Sequence, residues 1–274
     1  MKVYFNTKGF DCLPEKHQLD TTDDPTNAAV AVLGAKTIDF AACRKLQAIY
    51  RFGVGRENIP EDVIARNDPP VYFPSERTQA VLYESTADFA VALIFRMCFA
   101  VALGSVDRWE KQTRRSLASH TLLVVGRGKI GGLVARKMAP FMTVRTYDTV
   151  ENGPDELEPL LRTSDIVSLH IPLSEKTRGF FDAKKLSLLK DDAILVNTAR
   201  GAIVDEGALY ERIVSSSLRA AFDVFWKEPY EGKLKSLGKS RFFMTPHTSS
   251  QTIEYVREGF NDIRRILDTL GGTK

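Results

Sequence analysis

Short apolar runs, separated by segments of helical period, set the rhythm of this chain. Val3–Phe5, Ala29–Leu33, Leu46–Tyr50 and Val71–Phe73 form a first set. Leu122–Val125, Val144–Tyr147, Ile166–His170, Ala193–Asn197, Ala220–Phe225 and Phe242–Thr245 form a second. Runs so short and so continuously apolar read as strands covered on both faces, and their alternation with amphipathic segments predicts parallel sheets. Two sets of strands predict two sheets. Between them, Ser85–Gly104 reads as one long helix, with Thr86 and Asp88 as start signals and Gly104 as the stop. Near the end, Ile253, Val256, Phe260, Ile263, Ile266 and Leu267 keep a helical period, so a last helix is expected to return to the first domain.

One turn in this pattern carries chemistry. Gly126, Gly128 and Gly131 follow the run Leu122–Val125 at the spacing GxGxxG. In such a loop the first glycine permits a tight turn, the second lets a pyrophosphate approach the backbone, and the third lets helix pack closely on strand. A helix starting near Ile130 would aim its unpaired N–H groups and dipole at the phosphates. The next strand ends in Asp148, 22 residues after Gly126, where a carboxylate accepts hydrogen bonds from the adenosine ribose. Asp148 would repel a 2′-phosphate and is followed by Thr149, not by arginine, so NAD is the expected cofactor. The fold class expected is therefore α/β, with two Rossmann-like doubly wound parallel-sheet domains and a cleft between them. The expected division is residues 1–90 with 251–274 as a discontinuous substrate domain, and 91–250 as the NAD-binding domain.

Composition narrows the classes without adding a motif. A chain of 274 residues with 43% hydrophobic and 27% charged residues has ample material for two cores and is not of disordered type. Basic residues number 38 against 35 acidic ones and are dispersed, so no nucleic-acid partner is expected, and Lys111 to Arg115 read as solvated surface. The longest apolar stretch, 89–103, is interrupted by Arg96 and is too short for a bilayer span. Cys12, Cys43 and Cys98 have no metal-ligand spacing, so no metal is expected and a reducing cytoplasm fits best. The opening Met-Lys-Val-Tyr-Phe-Asn reads as a strand and not as a leader.

Three further motifs lie at strand ends, where open α/β sheets bind their ligands. They are Asn197-Thr198-Ala199-Arg200-Gly201, Asp223-Val224-Phe225-Trp226-Lys227-Glu228-Pro229 and Thr245-Pro246-His247. Histidine titrates near neutrality, so His247 is a natural acid/base, and a carboxylate such as Glu228 would fix its tautomer. Arg200 offers a planar fork of donors suited to a substrate carboxylate and carbonyl. His17 and His120 read as surface residues.

With Arg-Phe-Gly-Val-Gly at 51–55, Thr-Ala-Asp-Phe-Ala at 86–90 and His-Ile-Pro-Leu at 170–173, these motifs stand in an order that resembles the D-isomer-specific 2-hydroxyacid dehydrogenase family. The resemblance implies an NAD-dependent oxidoreductase interconverting a D-2-hydroxy acid and its 2-oxo acid, with a phosphoglycerate-like or hydroxypyruvate/glyoxylate-like substrate. It implies Arg200, Glu228 and His247 as catalytic residues, and Gly126, Gly128, Lys129, Ile130, Gly131, Asp148, His170, Pro172, Thr198, Ala199 and Asp223 around the cofactor. Asp223 would accept a hydrogen bond from the nicotinamide carboxamide. Val54 and Gly55 would hold the substrate carboxylate, with Arg51 opening that loop; Arg51 and Arg56 would suit a doubly anionic acid. A homodimer is implied as well, although the region 88–122 is shorter than in the family. The segment 148–164 omits a small strand, and 67–83 looks like an expanded loop. The alternatives are an NAD(H)-binding regulatory protein of the corepressor kind and a homologue that has lost turnover.

Overall fold

The structure is a computed structural model that describes residues 1–99, 111 and 113–271. The chain divides into two compact units, Met1–Ser85 with Ser250–Lys274, and Thr86–Ser249.

In the first unit β1 (Val3–Phe5), β2 (Thr21–Thr22), β3 (Val30–Leu33), β4 (Ala48–Arg51) and β5 (Val71–Tyr72) form a parallel sheet in the order β2-β1-β3-β4-β5. Every residue of β3 and β4 is buried, as strands covered on both faces must be. On one face Ala31, Leu33 and Ile49 meet Ile59 and Val63, the latter in α1 (Glu61–Arg66). Elsewhere in the unit Phe10 packs tilted on Phe52 and Phe52 stacks on Tyr255, with ring centroids 4.4 and 4.3 Å apart. Tyr255 belongs to the last helix, α7 (Ile253–Gly271). That packing is close enough to demand a glycine at 259, where a Cβ would stand 2.6 Å from the Phe52 ring. Further along α7, the buried Asp262 accepts from Tyr50 Oη at 2.9 Å, Thr78 Oγ1 at 2.7 Å and the Ser75 amide at 3.1 Å, and pairs with Arg265.

In the second unit β6 (Thr121–Val125), β7 (Thr143–Tyr147), β8 (Ile166–Leu169), β9 (Ile194–Asn197), β10 (Arg219–Phe222) and β11 (Phe242–Met244) are again all parallel, in the order β11-β10-β9-β8-β6-β7. Alternate residues build the two cores. Leu123, Val125, Val167, Leu169, Leu195 and Phe222 face Leu161, Leu186 and Leu209. These last three lie on α4 (Leu157–Thr163), α5 (Ala183–Leu188) and α6 (Glu206–Ser215). Leu122, Val124, Ile166, Ile194, Val196 and Ala221 face Ile94, Met97, Val134 and Met138. Those four lie on α2 (Glu76–Cys98) and α3 (Lys129–Met138). Both sheets are thus doubly wound, and in the second the chain reverses direction between β6 and β8, which makes the carboxyl ends of those strands the place for a ligand. Between β7 and β8 the described chain holds only a 3₁₀ turn, Pro154–Glu156, and α4, so no outer strand lies beyond β7.

Several local expectations change. α2 begins at Glu76, nine residues before the expected start, because Ser75 caps it, its Oγ accepting from the Thr78 amide at 3.4 Å. Residues 75–79, expected in an expanded loop, are therefore the first turn of a helix, and the expected stop at Gly104 lies outside the described residues. β10 ends at Phe222, so Asp223, Val224 and Phe225 belong to the following loop. His120 is not a surface residue: it is 8% exposed, and its Nδ1 lies 2.8 Å from the Ser116 carbonyl. Arg115 is not merely solvated, since it reaches Asp165 at 2.8 Å.

Asp165 sits just before β8 and is 7% exposed. Burial alone would raise its pKa, but Arg115, Lys190 and the Thr121 amide outweigh burial and hold it down at about 2. A carboxylate depressed in the folded state stabilises fully above its unfolded value and loses that contribution as pH falls through the folded one. Asp165→Asn is expected to reduce stability at pH 7 by about 2 kcal/mol and to flatten the parent's loss of stability between roughly pH 5 and 2. Urea unfolding of both proteins across that range measures it.

Candidate active site

The glycine loop is built from close contacts that only glycine allows. Gly126 has φ +94°, and a Cβ there would lie 2.6 Å from the His170 carbonyl oxygen. At Gly131 a Cβ would lie 1.9 Å from the Gly126 carbonyl oxygen, so strand and helix could not close on each other. Gly128 caps α3 in extended backbone, and nothing lies within 4 Å of where its Cβ would be. The space at Gly128 is thus open, while the other two positions are filled. Lys129 opens α3 and is exposed, with Ile130 next in the first turn. Asp148 Oδ2 accepts from the Arg127 amide at 2.7 Å and Oδ1 from the Val150 amide at 3.0 Å. This carboxylate therefore braces the glycine loop while each oxygen keeps a further lone pair.

His170 and Pro172 follow β8. The His170 ring is held by Ser168 Oγ at 2.8 Å from Nε2, and burial pushes its pKa down to about 4, so it is a neutral imidazole at pH 7. After β9, Asn197 folds the chain back: its Oδ1 accepts from the Ala199 amide at 2.9 Å, and its Nδ2 donates to the Arg200 carbonyl at 2.9 Å. Thr198 is 7% exposed, and its buried Oγ1 has no partner among the described residues. Gly201 is held under the next loop, where a Cβ would be 2.2 Å from the Phe225 carbonyl carbon.

His247 stands after β11 with φ +51°, a left-handed conformation that is rare for a residue with a side chain. Asp223 explains how it is kept there. This fully buried carboxylate accepts from Thr245 Oγ1 at 2.6 Å, the Thr248 amide at 2.9 Å and the Ser249 amide at 2.9 Å. It thereby grips both flanks of His247. The imidazole Nδ1 lies 2.8 Å from Glu228 Oε2, while Glu228 Oε1 accepts from the Phe225 amide at 3.0 Å. Burial would raise the Glu228 pKa; the His247 hydrogen bond and charge, the Phe225 amide and the positive Arg200 together bring it below the usual carboxylate value. The Glu228 loop is itself anchored by Trp226 Nε1 on the Val204 carbonyl at 2.7 Å and Tyr230 Oη on Glu206 at 2.7 Å. These anchors, and the gripping role of Asp223, are invisible in the sequence because each joins residues about 22 to 26 positions apart.

In the first unit Gly53 turns the chain with φ +131°. Arg51, 7% exposed, donates Nε to the Gly55 carbonyl at 2.9 Å and Nη1 to the Leu33 carbonyl at 3.3 Å and to the Phe52 carbonyl. Its guanidinium thus shapes the loop bearing Val54 and Gly55. Arg56 lies over the Phe73 ring, 4.7 Å from its centroid.

The residues fit a dinucleotide. The open Gly128 backbone, the unpaired first amides of α3 and the orphaned Thr198 hydroxyl are the features a pyrophosphate and a nicotinamide group would satisfy. Together with an imidazole–carboxylate pair at strand ends, they make this rim a candidate site for a nucleotide-dependent oxidoreductase.

Comparison with known proteins agrees. The family model described as D-isomer specific 2-hydroxyacid dehydrogenase, NAD binding domain, matches residues 92–249. Hydroxypyruvate reductase of Thermotoga maritima is 33% identical over 247 residues, which cover 84% of this chain and 79% of that protein. Glyoxylate reductase of Korarchaeum cryptofilum is 35% identical over 238 residues, covering 78% of this chain and 70% of that protein. Among solved structures, the TT0316 protein from Thermus thermophilus superposes with a TM-score of 0.79 at 27% identity, over 99% of this chain and 97% of that one. The chain belongs to the D-isomer specific 2-hydroxyacid dehydrogenase family. It is an NAD-dependent oxidoreductase of 2-hydroxy and 2-oxo acids.

Gly128→Ala is expected to leave the melting temperature of the free protein unchanged while weakening NADH binding about tenfold or more, whereas Gly131→Ala should not yield a folded protein. Fluorescence titration and thermal melts separate the two. Asp223→Asn puts an amide nitrogen against a backbone N–H and is expected to lower stability by about 1–3 kcal/mol and to lower kcat with it. Its melting curve and steady-state rates provide the check.

Proposed function

We propose that the chain reduces a small 2-oxo acid to its D-2-hydroxy acid with NADH, using Arg200, Glu228 and His247. The observation that carries this reading is the Glu228–His247 pair, at 2.8 Å, on a loop held in a left-handed turn. Bound NADH supplies the hydride. Arg200 holds the substrate carboxylate and polarises the carbonyl through its guanidinium fork. His247 gives its proton from Nε2 to the carbonyl oxygen as hydride arrives, because Nδ1 is engaged by Glu228. The ionised Glu228 fixes that tautomer and stabilises the imidazolium before transfer. Gly126, Gly128, Lys129, Ile130 and Gly131 take the pyrophosphate. Asp148 takes the adenosine ribose, and His170, Pro172, Thr198, Ala199 and Asp223 border the nicotinamide half. The backbone of Val54 and Gly55 assists in holding the carboxylate.

Likeness to a hydroxypyruvate reductase and a glyoxylate reductase supports a singly charged acid of that kind over a phosphorylated one. The family resemblance supports a homodimer, and the thiol pattern a cytoplasmic setting; among the described residues no helix is long and apolar enough to cross a membrane.

NADH oxidation against glyoxylate, hydroxypyruvate and phosphohydroxypyruvate tests the assignment, with kcat/KM expected to be lowest for the phosphorylated acid. His247→Asn keeps a residue tolerant of the left-handed turn and is expected to lower kcat by about 10²- to 10⁴-fold with little change in melting temperature. Glu228 is held below its ordinary value, so it stays ionised and paired as pH falls toward that value and loses the pairing only below it. Activity is therefore expected to persist on the acid side in the parent and to fall away in Glu228→Gln. Tight NADH binding with no turnover on any of the acids would instead mark a regulatory or degenerate homologue.

A further inference from the structure

The amino ends of the strands in the second unit carry a cluster of charge that the redox chemistry does not use. Arg114 and Arg115 precede β6, Arg219 opens β10, and Arg241 directly precedes β11; with Ser217 and Ser240 they line one cavity of about 380 Å³. Every strand of this sheet runs the same way, so the cavity lies at the opposite end from the glycine loop and His247. Strands of four or five residues put roughly 15 Å between the two ends.

Among the described residues of its wall the charges do not cancel. Asp165 is already paired with Arg115 at 2.8 Å and with Lys190 at 2.9 Å. Asp192 then stands as the other acidic group in the lining, against Arg114, Arg219 and Arg241. Arg219 donates to the Met97 carbonyl at 2.7 Å, and Arg241 donates Nη2 to the Ile213 carbonyl and to the Ser216 carbonyl at 2.5 Å. These bonds fix both guanidinium planes. Arg241 Nε is buried and has no acceptor among the described residues. Arg114 lies 4.5 Å above the Phe99 ring and makes one long hydrogen bond of 3.4 Å, to the Arg115 carbonyl. Cys98, also in the wall, stays a neutral thiol, since burial pushes it up to about 11, and so adds no negative charge. Fixed cationic forks, an orphaned buried donor and two serine hydroxyls around a space many times the size of a water molecule make a receptor for negative oxygen atoms.

We infer that this cavity is a second ligand site, distinct from the redox site, that binds a small multiply charged oxyanion bearing phosphoryl or several carboxylate groups. Arg241 and Arg219 would grip the anion, with Arg114 closing over it and Ser217 and Ser240 donating hydroxyls.

The test is done on the full chain with saturating NAD, so that the glycine loop is already filled. Inorganic phosphate and citrate are titrated by calorimetry and by thermal shift, with sodium chloride at matched ionic strength as the reference. Saturable binding of phosphate or citrate is expected, weakened about tenfold or more in Arg241→Met and in Arg114→Gln, with NADH oxidation in the absence of the anion unchanged. Arg114 is exposed, so Arg114→Gln and Ser240→Ala keep the test available if Arg241→Met fails to fold. Preference for phosphate identifies a phosphoryl ligand, and preference for citrate a polycarboxylate. A response equal to that of chloride, or affinities unchanged in every folded variant, overturns the inference.

Discussion

A parallel strand buried on both faces can keep a polar side chain between its ends only where that group finds a partner, as Ser168 does on His170. β8 and β9 are buried at all four positions, and every strand pair in this molecule is parallel. The constraint sorts residues by strand position. In the second unit Gly126, Asp148, His170, Thr198, Asp223 and His247 all follow a strand, while His120, Asp165 and Arg241 all precede one. Dipoles and side chains that would be intolerable in the middle of the sheet are gathered at two rims, and chemistry is confined to those rims. Both the proposed redox site and the cationic cavity are consequences of this sorting.

Within the carboxyl rim the order of dependence is clear. His247 can serve as an acid only if its ring is aimed and its backbone is held in a turn that most side chains avoid. Asp223 supplies the hold and Glu228 the aim. Asp223 is buried completely, so its three donors are required for its own burial as much as for the turn it enforces. Glu228 is less buried and depends on the loop tied down by Trp226 and Tyr230. A residue that touches only backbone and a neighbouring hydroxyl can thus be as necessary to the proposed proton transfer as one that touches substrate.

What the sequence made legible was the part of the design written in short spacings. The glycine loop, Asp148 and the strand-end motifs each sit within a few residues of an apolar run, and period alone marks that run. The shared face of Asp262, Tyr50 and Thr78 was not legible, since it joins positions up to 212 apart, and neither was the two-residue strand Thr21–Thr22. The start of α2 was misplaced because Thr86 and Asp88 look like a cap, whereas the cap in use is Ser75. His120 read as surface although it is buried, because exposure is set by the packing around a residue; Arg115 is exposed as read, but its ion pair with Asp165, 50 positions away, was not legible.

Arg51 shows how far a family pattern reaches. As a letter in Arg-Phe-Gly-Val-Gly it is a cation beside a substrate loop, and its charge invites a second anionic group on the substrate. As a side chain it is buried against the carbonyls of Leu33, Phe52 and Gly55. Those bonds leave the guanidinium its charge and use Nε and Nη1 to hold the turn at Gly53. The same residue type therefore serves two ends. At Arg200 it stands at the end of a strand among the proposed redox residues, and at Arg51 it shapes the loop bearing Val54 and Gly55.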